Sequence, residues 1–92
     1  KGDWQRAIET MRQVLDASPS NAAALNFVGY TLADHGGNLD EAEGYVAKAL
    51  ESRPDSSAYL DSMGWIAFRK GQLERAVDLL ERAVAEAPDE PT

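Results

Sequence analysis

"GQLERAVDLLERAVAEAP" (residues 71–88) repeats the pattern of two earlier stretches of equal length, "GDWQRAIETMRQVLDASP" (2–19) and "GNLDEAEGYVAKALESRP" (37–54). The three align without a gap. Gly2, Gly37 and Gly71 coincide, as do Ala7, Ala42 and Ala76, the bulky Met11, Val46 and Leu80, and finally Pro19, Pro54 and Pro88. The glycines stand 35 and then 34 residues apart (37 − 2 and 71 − 37), and self-similarity at such a period marks a stacked-repeat architecture. Within each block the apolar residues fall at helical spacing, as in Leu73, Ala76, Val77, Leu80, Ala83 and Val84, with charges between them, which predicts an amphipathic helix. Asp3 and Asn38 are positioned to cap first turns, Asn38 with Glu41 three residues on resembles a capping box, and Gln72 is a weaker cap.

Between the blocks lies a second motif. "ALNFVGYTLADHGG" and "YLDSMGWIAFRKG" align Leu25 with Leu60, Val28 with Met63, Gly29 with Gly64 and Tyr30 with Trp65, one residue being inserted at Gly36-Gly37. The connectors "PSNA" and "PDSSA" start this second helix type, with Ser20 or Asp55 as N-cap, and the glycines end it. Calling the two types A and B, the order is B, A, B, A, B: five antiparallel helices joined by short turns. No stretch alternates at period two, so no strand is expected.

A helix-turn-helix unit of this period and this set of small and large positions resembles the tetratricopeptide repeat. The slots of that family's pattern are filled by Leu25, Val28, Gly29, Leu32, Ala42, Val46, Ala49 and Pro54, then by Leu60, Met63, Gly64, Ala67, Ala76, Leu80, Ala83 and Pro88. Departures are mild: leucine stands at the family's usual tryptophan slot, Ala67 replaces a usual tyrosine, and one repeat carries the extra glycine. The resemblance implies an all-α superhelical solenoid of about two and a half repeats forming one domain over 1–92. Residues 1–21 would be a half repeat with helix B alone, 22–56 and 57–90 full repeats, and 91–92 a tail. Lys1 precedes what reads as a helix start, so the chain is expected to be a piece of a longer protein. Its wording is most similar to the late repeats of long bacterial members, some of them exported to the envelope.

Bulk properties narrow the function. Nine basic against 16 acidic residues give a net charge of −7, which repels a phosphate backbone and argues against nucleic acid. The pentatricopeptide family has a similar period and binds RNA, but its members are typically basic, and Gly29 and Gly64 suit the tetratricopeptide slot better. No cysteine is present, which fits the cytoplasm and an oxidising envelope compartment equally and leaves localisation open. No apolar run approaches the roughly 20 residues of a membrane span, so membrane insertion is not expected. His35, beside Asp34, is the single histidine and reads as a solvated turn residue, because a metal site needs three or four convergent ligands. Pairs such as Asp40-Glu41 and Glu74-Asp78 read as a solvated face neutralised by Lys48, Arg75 and Arg82. Neither catalysis, nor a metal, nor a cofactor is expected.

In tetratricopeptide arrays helix A lines the concave surface. By the resemblance the lining is Ala23, Asn26, Tyr30, Ala33 and Asp34, then Ala58, Asp61, Trp65, Phe68 and Arg69. The candidate peptide-binding residues are therefore Asn26, Tyr30, Asp34, Asp61, Trp65, Phe68 and Arg69. Trp65 lies one residue, about 100° of helix, beyond Gly64, which would aim it at the groove; packing against the neighbouring helix A is the competing reading, and both stand at this point. The groove lacks the lysine-rich set some members use to clamp a carboxylate terminus. The expected function is a scaffold that binds a peptide or helix of another protein, the alternative a structural spacer within a longer solenoid. Weak self-association is also expected, because Leu73, Val77, Leu80 and Val84 at one end and Trp4, Ile8 and Met11 at the other would be bare faces without their partners.

Overall fold

The computed structural model describes residues 3–87, so the matches at Gly2 and Pro88, the acids Asp89 and Glu90 and the 91–92 tail lie outside the described residues. Five helices follow one another: α1 (Asp3–Ala17), α2 (Ala22–Asp34), α3 (Leu39–Ser52), α4 (Ser57–Arg69) and α5 (Leu73–Glu86). No strand occurs among the described residues. Sequential helices pack as neighbours, and in addition α2 packs on α4. The type B helices α1, α3 and α5 do not pack backbone to backbone among the described residues. They are joined by long side chains, Arg12 to Glu41 at 3.3 Å and Arg75 to Glu43 at 2.9 Å. Because the A helices touch and the B helices spread, the A layer is the tighter, inner side of the curve.

Helix starts are set by turn chemistry. Asn21 caps α2 by accepting from the Ala24 amide at 3.0 Å, and Ser56 caps α4 by accepting from the Tyr59 amide at 3.2 Å. This corrects the expectation of Ser20 and Asp55 by one residue. The cause is the proline: the Asn21 amide bonds Ser18 O and the Ser56 amide bonds Arg53 O, closing four-residue turns with Pro19 and Pro54 at their second position. A residue inside the turn is unavailable as the cap. Asn38 caps α3 through the Glu41 amide at 2.9 Å, but the Glu41 carboxylate turns to Arg12 and supplies no return bond of a capping box. Gln72 makes no side-chain cap bond.

The two A helices end alike, in a paired C-terminal motif. The Gly37 amide bonds Leu32 O and the Gly36 amide bonds Ala33 O; in the later turn the Gln72 amide bonds Ala67 O and the Gly71 amide bonds Phe68 O. Gly36 (φ 78°) and Gly71 (φ 81°) take the left-handed conformation this requires. By conformation the counterpart of Gly71 is thus Gly36 and not Gly37. The inserted residue separates two duties that Gln72 performs alone, closing the A helix and starting the B helix.

Helices A and B approach where a side chain is missing. A Cβ at Gly29 would fall 2.5 Å from Val46 Cγ2 and 2.7 Å from Ala42 O; at Gly64 it would fall 2.8 Å from Leu80 Cδ2 and 3.5 Å from Ala76 O. Val28, Val46, Leu60, Met63, Ile66, Ala42 and Ala76 form the buried core around these contacts. Ile8 is buried in it, and Trp4, Met11 and Leu15 pack against it. That overturns the expectation of a bare apolar face on α1, because α2 covers it. At the opposite end Leu73, Val77, Leu80 and Val84 are exposed.

Among the described residues the lysine and arginine ion pairs run across helices and not along them. Lys70, at the end of α4, donates to Asp40 at 2.7 Å and Glu43 at 2.6 Å on α3, and Glu43 also takes Arg75 of α5. Hydrogen bonds from Lys70 hold the carboxyls of Asp40 and Glu43 below their usual range, and those two acceptors raise the Lys70 ammonium.

Two outcomes are expected. Gly29→Ala meets a backbone carbonyl and costs about 1–3 kcal/mol by overpacking, whereas at Gly64→Ala the half-exposed Leu80 swings aside and the loss is smaller; paired urea melts check the order. For the ion network, depressed carboxyls contribute stability above the ordinary values of 4.5 and 3.8 and lose it as pH falls through their folded values, and the raised Lys70 contribution disappears only as pH climbs past 10.5. Lys70→Met therefore flattens the acid limb of a stability-against-pH curve.

Candidate functional site

The seven expected groove residues lie on α2 and α4, at or just inside the exposed side of these helices. Helical periodicity explains the division of labour. Gly64 turns to α5, where it meets Leu80, and the next residue, Trp65, is rotated by about 100° to the seam with α2. Trp65 is half-buried and packs against the core. Phe68, one turn on, is 52% exposed, and its ring stacks on Trp65 with centroids 5.7 Å apart and planes 21° from parallel. The Arg69 guanidinium lies 5.7 Å from the Trp65 ring centroid, within the range of a cation–π contact.

Arg69 also reaches across to α2, donating from Nη1 to the carbonyl oxygen of Ala33 at 2.8 Å. That bond closes one end of the α2–α4 seam. Ala33 itself is fully buried in the core, a correction to its expected place in the lining: its side chain faces inward and only its carbonyl serves the site. On α2, Tyr30 is 43% exposed and Phe27 39%. Asp34 and Asp61 are exposed, so they bring negative charge to either end of the aromatic set. Asn26 is half-buried; its Oδ1 and the Trp65 Nε1 are both buried without a hydrogen-bond partner in the chain. One is an acceptor and the other a donor.

Two features had no sequence signal. Phe27, exposed beside Tyr30, was absent from the expected lining. His35 is also more than a solvated turn residue, since its ring stacks on Trp4 of α1 with centroids 4.6 Å apart and planes 1° from parallel. Its carboxylate neighbour Asp34 is a loose 3.9 Å away. No group of three or more potential ligands converges as a metal site among the described residues, and no described helix is long and apolar enough to cross a membrane.

Trp65, Phe68 and Arg69 make an aromatic and cationic strip on α4, with the exposed Tyr30 on the neighbouring α2 and the exposed carboxylates of Asp34 and Asp61 on the same two helices. Chemically the strip suits contact with apolar side chains. Comparison with known proteins agrees in kind. A tetratricopeptide repeat family model matches residues 1–57 and again 37–91. A TPR repeat-containing protein of Pseudomonas aeruginosa is 42% identical over 89 residues, which is 97% of this chain and 15% of that protein's length.

Core and groove duties separate by substitution. Trp65→Ala is expected to lower unfolding free energy by about 2 kcal/mol, below the 3–5 typical of a fully buried tryptophan. Phe68→Ala, half in solvent, should stay within about 0.5 kcal/mol of wild type. Chemical denaturation followed by circular dichroism measures both.

Proposed function

The chain belongs to the tetratricopeptide repeat family, and from that premise we propose that it holds a segment of another protein against the inner face formed by α2 and α4. Repeats of this family mediate protein–protein interaction and are generally non-catalytic scaffolds. The observation that carries the finer reading is the continuous strip of Trp65, Phe68 and Arg69 on α4, tied to α2 by the 2.8 Å bond to Ala33. Large, half-exposed aromatic rings with an arginine are the residue types that dominate binding energy at protein interfaces.

A bound segment would place apolar side chains on Tyr30 and Phe68, both of which are substantially exposed. The acidic flanks, Asp34 and Asp61, select against a segment rich in acids.

Selection of a random peptide library displayed on phage against the whole chain tests this. The expected result is a consensus with spaced apolar residues, whose binding drops about tenfold with Tyr30→Ala or Phe68→Ala, a loss of roughly 1.4 kcal/mol. Both side chains are substantially exposed, so the variants remain folded. A spacer would select no peptide above background, and selected peptides that ignore both substitutions would place binding elsewhere.

A further inference from the structure

The inner face carries the same two-residue device twice, once complete and once with its charge reversed. Tyr30 on α2 and Trp65 on α4 stand 35 residues apart, and so do Asp34 and Arg69 (65 − 30 and 69 − 34). In each pair the second residue follows the first by one helical turn, so the two side chains are neighbours on one face. On α4 the pair is self-sufficient, because the Arg69 guanidinium lies 5.7 Å from the Trp65 ring centroid. On α2 a carboxylate stands where α4 has its cation. The Tyr30 ring is 43% exposed, and Asp34, also exposed, has no lysine or arginine within ion-pair distance among the described residues. His35 is a loose 3.9 Å from Asp34, and its ring is stacked on Trp4.

A ring face attracts a cation through its quadrupole, and a carboxylate one turn away attracts the same cation through its charge. Resting on the reading that the inner face holds a segment of another protein, we propose that the side chain this segment lays on Tyr30 is an arginine, with its guanidinium directed to Asp34. The partner's cation takes on Tyr30 the place that Arg69 takes on Trp65. Its aliphatic stem supplies the apolar contact with the ring. A flat guanidinium suits the site better than an ammonium, since it lies against a ring and presents paired N–H groups to a carboxylate. The local opposition is the positive charge of Arg69, whose Nη1 is engaged by the carbonyl oxygen of Ala33. Asp34 and Asp61, on the same two helices, outweigh it. An apolar anchor on Phe68 alone would let the segment slide along the strip, whereas a charge pair at Asp34 fixes its register.

The test titrates the whole chain, labelled with ¹⁵N, with capped peptides in which leucine-alanine arms flank a central arginine, citrulline or glutamate. Citrulline keeps the shape of arginine and loses its charge. Salt at about 0.1 M screens the general pull of the chain's net charge of −7 beyond roughly 10 Å. The arginine peptide should shift the amide resonances of Tyr30 and Asp34 and bind about fivefold more tightly than the citrulline peptide, the size expected of one exposed cation–π contact with one exposed charge pair. The glutamate peptide should bind most weakly. Asp34→Asn and Tyr30→Leu, both at exposed positions and checked by thermal melt, should each remove most of the preference for arginine. Glu9→Gln, an equal change of charge at an exposed position on α1, should leave it intact. Asp34→Arg, which copies the α4 pair, should turn the preference toward glutamate. Equal binding of the arginine and citrulline peptides, with shifts on α2 and α4, would overturn the proposal and leave the broader groove reading standing. A preference that survives Asp34→Asn, or that falls as much with Glu9→Gln, belongs to net charge and overturns it as well. So does an arginine peptide that shifts nothing on α2, whatever the phage selection returns.

Discussion

The backbone approach of α2 to α3 at Gly29 is the constraint on which the remaining geometry depends. With a carbonyl oxygen of α3 lying 2.7 Å from where a Cβ would stand, the separation of the hairpin's helices is set by main chain rather than by compressible side chains. Val46 then fits against the gap and is fully buried. The same relation at Gly64 is softer, because the carbonyl oxygen of Ala76 stands off at 3.5 Å and only the side chain of Leu80 is closer. Close pairs of A and B helices leave each A helix free to touch the next A helix, and the inner layer contracts relative to the outer one. The close approach within each A–B hairpin is therefore a consequence of two missing methyl groups.

Ion pairs handle what packing leaves open. The B helices are too far apart to pack, and Arg12, Glu41, Glu43 and Arg75 span the distance between them. Glu43 is the centre of the larger network, since it accepts from α4 and α5 at once. Pairs of this exposure contribute little each, typically under about 1 kcal/mol. Their effect is on orientation: a bond from the end of one helix to the first turn of another restricts sliding, which a smooth apolar contact resists poorly.

Periodicity and steric need were legible in the sequence wherever they act over short range. The five helices, Gly29 and Gly64 at the A–B contact, and the separate cap role of Asn38 all follow from residues within a few positions of one another. What was not legible depends on partners far along the chain or on competition between adjacent groups. Asn21 displaces Ser20 as a cap because the proline turn ends there, although both residue types cap well. His35 finds Trp4 across 31 positions (35 − 4), and no local pattern announces a stack of that kind. Ala33 was assigned to the lining by its repeat position, yet the inner seam between α2 and α4 is close enough to bury it. The same closeness exposes its carbonyl to Arg69 and so gives the site a tie that a side-chain reading would miss.

Trp65 shows why the display and packing readings of an inner-layer aromatic are not opposites. In a solenoid the inner surface is also the seam between successive A helices, so a large residue there can pack with one part of its ring and remain accessible with another. Trp65 packs on the core, carries Phe68 on its outer side and has Arg69 across its ring. Arg69 in turn holds α2. A segment that engages Phe68 or Arg69 therefore acts on the same contacts that fix the angle between α2 and α4. Binding at such a strip would stiffen the curvature of the repeat, and any change that loosens the α2–α4 seam would weaken binding even where it touches no ligand.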